Sequence, residues 1–327
     1  MLKTYHSIVD NDSLLQTIHQ NYSEIAVREC ELLATGCTDN YLVKAGRKKY
    51  VFRLYRKDWW PKAEIDGELR LLEVLLKHKV SVCKPIRTAK DQRFISVKTA
   101  EGTRYGALFD FIPGRPLGHS KKSRHANLRQ LGEMTAKIHT IADTIDPPVK
   151  RWTMDYDAIV PPFLKAVSTV LSHREKDIIY LNKLAVELKD VIFSQPEQSL
   201  GFGLCHGDLH VHNVMLRPDG KLTMFDFDWC SYSWRVYDLA TVWWSLPREE
   251  KSTTLWRSFL NAYLRHRHLS RQEKEVLPWF VLLRHFELLN FHISVRDQFG
   301  SAWQNDDYYD ARLGFFRKWR KQHIDRK

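Results

Sequence analysis

One short segment concentrates the side chains suited to group-transfer chemistry. It runs His206-Gly207-Asp208-Leu209-His210-Val211-His212-Asn213 and is followed, after a short intervening stretch, by Phe225-Asp226-Phe227-Asp228. Phosphoryl transfer asks little covalent help of a protein. It needs a carboxylate to orient and deprotonate the attacking hydroxyl, hard oxygen ligands for the cation that neutralises the phosphates, and a pocket that aligns donor with acceptor. An Asp, an Asn five residues later and an Asp beyond a hairpin supply those parts. His206, His210 and His212 raise a competing zinc reading, but no cysteine or carboxylate pattern completes a tetrahedral set around them.

The elements that must position these groups are readable from periodicity. Val214 to Leu216 and Leu222 to Phe225 flank Arg217-Pro218-Asp219-Gly220, a type I turn sequence, so the segment closes on a hairpin. Around it the pattern is helical: 128–141, 162–171, 175–194, 239–245, 253–266 and 273–295. Upstream, runs rich in β-branched and aromatic residues at 41–44, 50–55, 94–97 and 107–111 predict an antiparallel sheet. One helix interrupts them, with Ile65, Leu69, Leu72, Leu75 and Leu76 forming a single apolar stripe. Ile112-Pro113-Gly114-Arg115-Pro116 cannot continue a central strand and marks a crossover. The expected architecture is α+β: a small sheet lobe over residues 1–112 and a larger, mostly helical lobe over 113–327.

The segment from His206 to Asp228 resembles the catalytic motif of the aminoglycoside phosphotransferase, choline kinase and type II homoserine kinase superfamily, which has a protein-kinase-like fold. The likeness extends to Leu131 to His139, to Ala107 to Leu117 and to Tyr237-Asp238-Leu239-Ala240, and covers roughly residues 30 to 300. It implies ATP as phosphoryl donor and Mg²⁺ as the cation. Asp208 is then the catalytic base, and Asn213 and Asp226 are the metal ligands. Mg²⁺ prefers hard oxygens and keeps waters, so one amide and one carboxylate suffice. Asp228 is a second ligand or, the preferred reading, a structural group. His206 orders the loop by hydrogen bonding. Asp238 reads as an N-cap, to which the family adds a hydrogen bond to the catalytic loop.

In the sheet lobe, Glu68 resembles the family's helix Glu, whose usual partner is a strand Lys that contacts the phosphates. Here Arg53 stands where that Lys is expected, which keeps the charge but not the reach. Thr35 to Asn40 resembles the nucleotide-covering loop, with Gly36, Thr38 and Asn40 as candidate contacts. On its own it is an ordinary hairpin sequence. Adenine is expected at main-chain groups near Asp110, Phe111 and Ile112.

Composition limits the alternatives. Five scattered cysteines without a CxxC pair favour reduced thiols. No apolar run approaches the ~20 residues of a membrane span, and the first residues lack a signal-peptide core, so a cytoplasmic protein with no membrane partner is expected. The net charge of +12 allows a nucleic-acid-binding pseudokinase. Retention of Asp208, Asn213 and Asp226 argues against it. The acceptor is expected to be a hydroxyl of a small molecule: an amino alcohol, a homoserine-like compound or an aminoglycoside. The alternative is a protein side chain, because the stretch from Phe52 to Trp59 resembles bacterial stress-response kinases. The basic residues from Arg248 to Lys274 disfavour polycations, although Glu249, Glu250, Glu273, Glu275, Glu287 and Asp297 could form a local acidic pocket.

Overall fold

A computed structural model describes residues 4–120, 124–194, 200–247 and 252–325. In chain order the first elements are α1 (Asn11–Asn21), β1 (Glu29–Thr35), β2 (Thr38–Ala45), β3 (Lys48–Tyr55), α2 (Lys62–Lys77), β4 (Pro85–Ile86), β5 (Ile95–Thr99), β6 (Gly102–Asp110) and β7 (Arg115–Pro116). Then come α3 (Arg124–Ala142), α4 (Tyr156–Val170), α5 (Glu175–Leu188), β8 (Phe202–Cys205), β9 (Val214–Leu216), β10 (Leu222–Met224), β11 (Ser231–Trp234), α6 (Arg235–Ser245), α7 (Ser252–Leu264), α8 (Arg271–Ser294), α9 (Arg296–Phe299) and α10 (Asp306–His323). None of the helices is long and apolar enough to cross a membrane among the described residues. The chain divides into two compact units. One comprises Met1–His119, Thr144–Arg151 and Val214–Asp228, and the other the remainder.

The first unit is built on an antiparallel sheet in the order β1-β2-β3-β6-β4, with β5 also paired to β6. Successive strand side chains face opposite ways, so Phe52 and Leu54 enter a core with Tyr41, Leu108 and the α1 residues Leu14 and Ile18. Each such fully buried side chain contributes about 1.5–3 kcal/mol relative to exposure. Arg53, between Phe52 and Leu54, is thereby turned to the other face. There α2 buries Ile65, Leu69, Leu72 and Leu75 and presents Glu68 from the same stripe. The hairpin β9–β10 pairs with β7, and its far strand is tied to the loop after α2 through Met224 N–H to Ser81 O (3.0 Å) and Cys83 N–H to Met224 O (2.9 Å). Gly114, just before β7, has φ +133°, and a Cβ there would lie 2.2 Å from the Leu216 carbonyl oxygen, so no other residue fits this crossing.

Among its described residues the second unit is mainly helical, with a two-stranded ladder β8–β11 in which Cys205 opposes Ser231. α3 and α7 pack closely at Gly132, where a Cβ would meet the Phe259 carbonyl oxygen at 2.3 Å. α4 begins at Tyr156 rather than at Pro162, as the sequence reading expected. Asp155 supplies the N-cap by accepting from the Ala158 N–H at 2.8 Å, and this local bond sets the start ahead of the prolines. α8 starts with a capping box between Ser270 and Glu273. α1, β1 and the β8–β11 ladder were not anticipated.

Candidate active site

In the second unit, β8 ends at Cys205 and the chain turns at once into the loop bearing Asp208. Gly207 makes the turn at φ +81°, with the Trp229 carbonyl oxygen 1.9 Å from where a Cβ would stand. Asp238 fixes this turn from α6. Its Oδ2 accepts from the His206 N–H at 2.8 Å and its Oδ1 from the Gly207 N–H at 2.9 Å. His139 Nε2 lies 3.0 Å from the same Oδ2, and His139 Nδ1 lies 3.0 Å from the Tyr263 hydroxyl. Asp238 is therefore not an N-cap. Trp234 holds that position, and Asp238 sits one turn into the helix with its carboxylate turned to the loop. Burial would raise the Asp238 pKa, but the hydrogen bonds from His139 and the His206 N–H hold it below the usual value. Burial pushes His139 down to about 4 despite Asp238, so the imidazole is neutral.

The Asp208 carboxylate is held through both oxygens. Oδ2 accepts from Asn213 Nδ2 at 3.0 Å, with His210 Nε2 at 3.4 Å, and Oδ1 accepts from Arg284 Nη2 at 2.5 Å. Asn213 Nδ2 also donates to the Asp208 carbonyl at 3.0 Å. With its amino group spent on Asp208, the Asn213 amide keeps its oxygen for a cation, which suits a hard metal. Burial alone would raise the Asp208 pKa; Arg284 first, then His210 and His206, overcome it and pull it to about 2. His206 accepts the Asp208 N–H at Nδ1, 3.3 Å away. Arg284 was missed by the sequence reading. Its spacing of four and seven from the buried Phe280 and Leu277 marks an inward face of α8 but names no partner for the cation.

In the first unit, Arg53 bridges two carboxylates, with Nη1 3.5 Å from Glu68 Oε1 and Nη2 2.9 Å from Asp226 Oδ1. Tyr55 donates its hydroxyl to Glu68 Oε2 at 2.9 Å. Burial opposes the Arg53 charge, but Asp226 and Glu68 more than offset it and hold its pKa well above normal. Burial likewise raises Glu68, against the pull of Arg53. Asp226 has φ +67°, a left-handed conformation that Asp tolerates better than most residues. The Asp228 carbonyl accepts from Arg151 Nη2 at 2.5 Å, and Arg151 lies over the Trp60 ring at 4.8 Å.

The loop 35–40 is the tip of the β1–β2 hairpin. Arg56 Nε donates to the Gly36 carbonyl at 2.6 Å, Asn40 Nδ2 to Thr38 Oγ1 at 3.2 Å, and space is open above Gly36. Asp110, Phe111 and Ile112 line a cavity of about 720 Å³ with Lys48, Lys49, Lys84 and Arg217, and its wall does not include Arg53 or Asp226. The Asp110 and Phe111 N–H groups are already given to the Lys84 and Lys49 carbonyls, at 2.9 and 3.2 Å.

Among the described residues the side chains that converge as a possible cation set are His139, Cys205 and Asp238, all buried, rather than His206, His210 and His212. His139 and Asp238 already bond one another, and Asp238 also bonds the loop. Three of the charges invoked against polycationic acceptors are paired: Arg265 with Glu133 at 2.5 Å, Arg267 with Asp143 at 2.6 Å and Arg271 with Glu275 at 2.8 Å. Glu273 is spent on the Ser270 and Gly201 N–H groups. Arg248, Glu249, Glu250 and Lys251 lie outside the described residues.

Comparison with known proteins gives this geometry a family. An uncharacterized protein of Deinococcus radiodurans is 29% identical over 322 residues, 97% of this chain and 92% of its own. Among solved structures, amicoumacin kinase hAmiN in complex with AMP-PNP, Ca²⁺ and Ami is similar at TM-score 0.73 and 21% identity, over 95% of this chain and 92% of that one. A microcompartment-associated aminopropanol kinase is similar at TM-score 0.70 and 21% identity, over 93% and 94%. At these identities the structural likeness is one of fold, the α+β, two-lobed, protein-kinase-like fold that the motif resemblance implied. Residues 29–279 match the model of the phosphotransferase enzyme family, most of the chain, and the chain belongs to that family, as an enzyme of the kinase class.

Proposed function

We propose that the chain transfers the γ-phosphoryl group of ATP to a hydroxyl of a small molecule, an amino alcohol, a homoserine-like compound or an aminoglycoside, with Asp208 as the catalytic base. The observation that carries this reading is the Asp208 carboxylate, partly buried, ionised and held at both oxygens by Asn213 and Arg284. A carboxylate held in that form accepts a hydrogen bond from the attacking hydroxyl and orients it. Because it is a weak base, it takes the proton late, once charge has moved off the hydroxyl oxygen, as a loose phosphoryl-transfer transition state requires.

The remaining roles follow from donor chemistry. The Asn213 amide oxygen and the Asp226 carboxylate are the hard ligands that would hold Mg²⁺, which would supply positive charge to neutralise the phosphates. Arg53, bridging Glu68 and Asp226, is the cation we assign to the phosphates in place of a lysine. Gly36, Thr38 and Asn40 cover the nucleotide, and Asp110, Phe111 and Ile112 hold its base. On this reading residues 1–112 form the nucleotide-covering lobe and 113–327 the lobe bearing base and acceptor, in the cytoplasm where Mg·ATP is supplied. The amino-alcohol class draws support from the similarity in fold to an aminopropanol kinase.

The test is ³¹P NMR of the purified protein with Mg·ATP and 1-amino-2-propanol, homoserine, kanamycin or a generic protein substrate. A new phosphoester signal with one small acceptor supports the proposal and names the class. Phosphoester formed only with the protein substrate overturns the small-molecule reading, and no acceptor-dependent ADP with any of them counts against the transfer itself.

A further inference from the structure

The two oxygens of Asp208 are held by unlike means. Oδ2 is bonded by Asn213 and approached by His210, both within five residues on the same loop, so those contacts travel with the loop. Oδ1 is bonded by Arg284, from the middle of α8. The Arg284 guanidinium is itself fixed in further directions. Nη1 donates to Glu287 Oε2 at 2.6 Å, and the plane lies 5.2 Å from the centre of the Trp244 ring. The indole N–H of Trp244 points to His285 Nδ1 at 3.1 Å, while His285 Nε2 lies 3.1 Å from the Arg312 carbonyl, so the ring under Arg284 is pinned as well. Arg284 and Glu287 are both buried.

From this arrangement, and resting on the reading of Asp208 as catalytic base, we infer that Arg284 is a positioning residue that sets the rotamer of the Asp208 carboxylate from α8. A carboxylate tied only at Oδ2 can swing about its Cα–Cβ and Cβ–Cγ bonds while the loop backbone stays in place. Backbone anchoring by Asp238 does nothing to stop that. A planar fork that spans Glu287 and Asp208 at once does stop it, and a lysine, with one ammonium on a flexible stem, cannot span both in the same way. Glu287 and Asp208 are thus both bonded to one guanidinium. Burial raises the Glu287 pKa, against the pull of Arg284.

The test uses Mg·ATP hydrolysis without added acceptor, water standing in for the hydroxyl. Arg284→Ala should lower kcat about 10²-fold, the scale of loss that follows from a displacement of about 1 Å of a reacting group, with KM for ATP within about twofold, since no nucleotide contact is removed. Millimolar guanidinium should restore a large part of that kcat in Arg284→Ala and none of it in Arg284→Ala/Asp208→Asn. Were Arg284→Ala not to fold, Arg284→Lys, which keeps the buried charge, carries the test through the same fall in kcat at constant KM. A kcat for the folded variant within about threefold of wild type, or a fall in kcat that guanidinium does not relieve, overturns the inference. Asp208→Asn with wild-type turnover would instead remove the underlying reading of Asp208, and it is measured separately in the same assay.

Discussion

Replacing Asp238 by Asn is nearly isosteric yet should be severe. Three donors converge on the Asp238 carboxylate: the His206 and Gly207 N–H groups and His139 Nε2. The residue is 1% exposed, so water cannot take over any of them. An amide offers one acceptor oxygen. If that oxygen replaces Oδ2 and serves His206 and His139, the amide NH₂ confronts the Gly207 N–H, donor to donor. The loss is then a hydrogen bond to a charged group together with a buried N–H left without a partner, about 3–5 kcal/mol in all. Urea unfolding followed by tryptophan fluorescence measures it, with an unchanged m-value as the sign that only the native state was altered. A destabilisation below about 1 kcal/mol would refute the argument that this carboxylate is what holds the loop.

Other substitutions test neighbouring parts of the reasoning. Gly207→Ala sets a Cβ against the Trp229 carbonyl at a left-handed φ, and should cost about 2–4 kcal/mol by the same unfolding assay. Arg53→Ala leaves Glu68, 1% exposed, without its cation, so about 3–5 kcal/mol of stability should be lost, and the Kd for Mg·ATP measured calorimetrically should rise. For His139, the folded pKa of about 4 lies below the unfolded value of 6.5, so the unfolded chain binds the extra proton between those values. Stability should therefore fall as pH drops from 6.5 to 4, by about 3 kcal/mol from this group. In His139→Gln the slope of unfolding free energy against pH should flatten over that window, and an unchanged slope would count against a neutral buried imidazole.

Much of this architecture is written in local pattern. The strands around Tyr41 and Phe52 follow from runs of β-branched and aromatic residues, α2 from its leucine stripe, and the β9–β10 hairpin from Arg217 to Gly220. The loop from His206 to Asn213 was found through residue type and spacing. α1 escaped notice because only Leu14 and Ile18 of it are buried, too thin a stripe to stand above its polar neighbours. The β8–β11 ladder is four residues a side, with Gly201 and Gly203 diluting its strand character. Arg284 was out of reach for a different reason. It joins Asp208 across 76 residues, and nothing in a spacing rule couples positions so far apart. Asp238 shows the same gap at shorter range. Its place near a helix start suggested a cap, which the fold does not show, while the loop hydrogen bond that the family resemblance added is present.

The pairing of His139 with Asp238 has a spectroscopic consequence. Asp238 is a pure acceptor, so the imidazole must carry its proton on Nε2 and accept from the Tyr263 hydroxyl at Nδ1. The side chain is 0% exposed, which shields that proton from exchange with solvent. Such a proton gives a sharp downfield resonance where most imidazole signals are lost. One line in a proton spectrum thus becomes a native gauge of whether the turn at Gly207 is in register, readable in any variant without an acceptor, a nucleotide or a label.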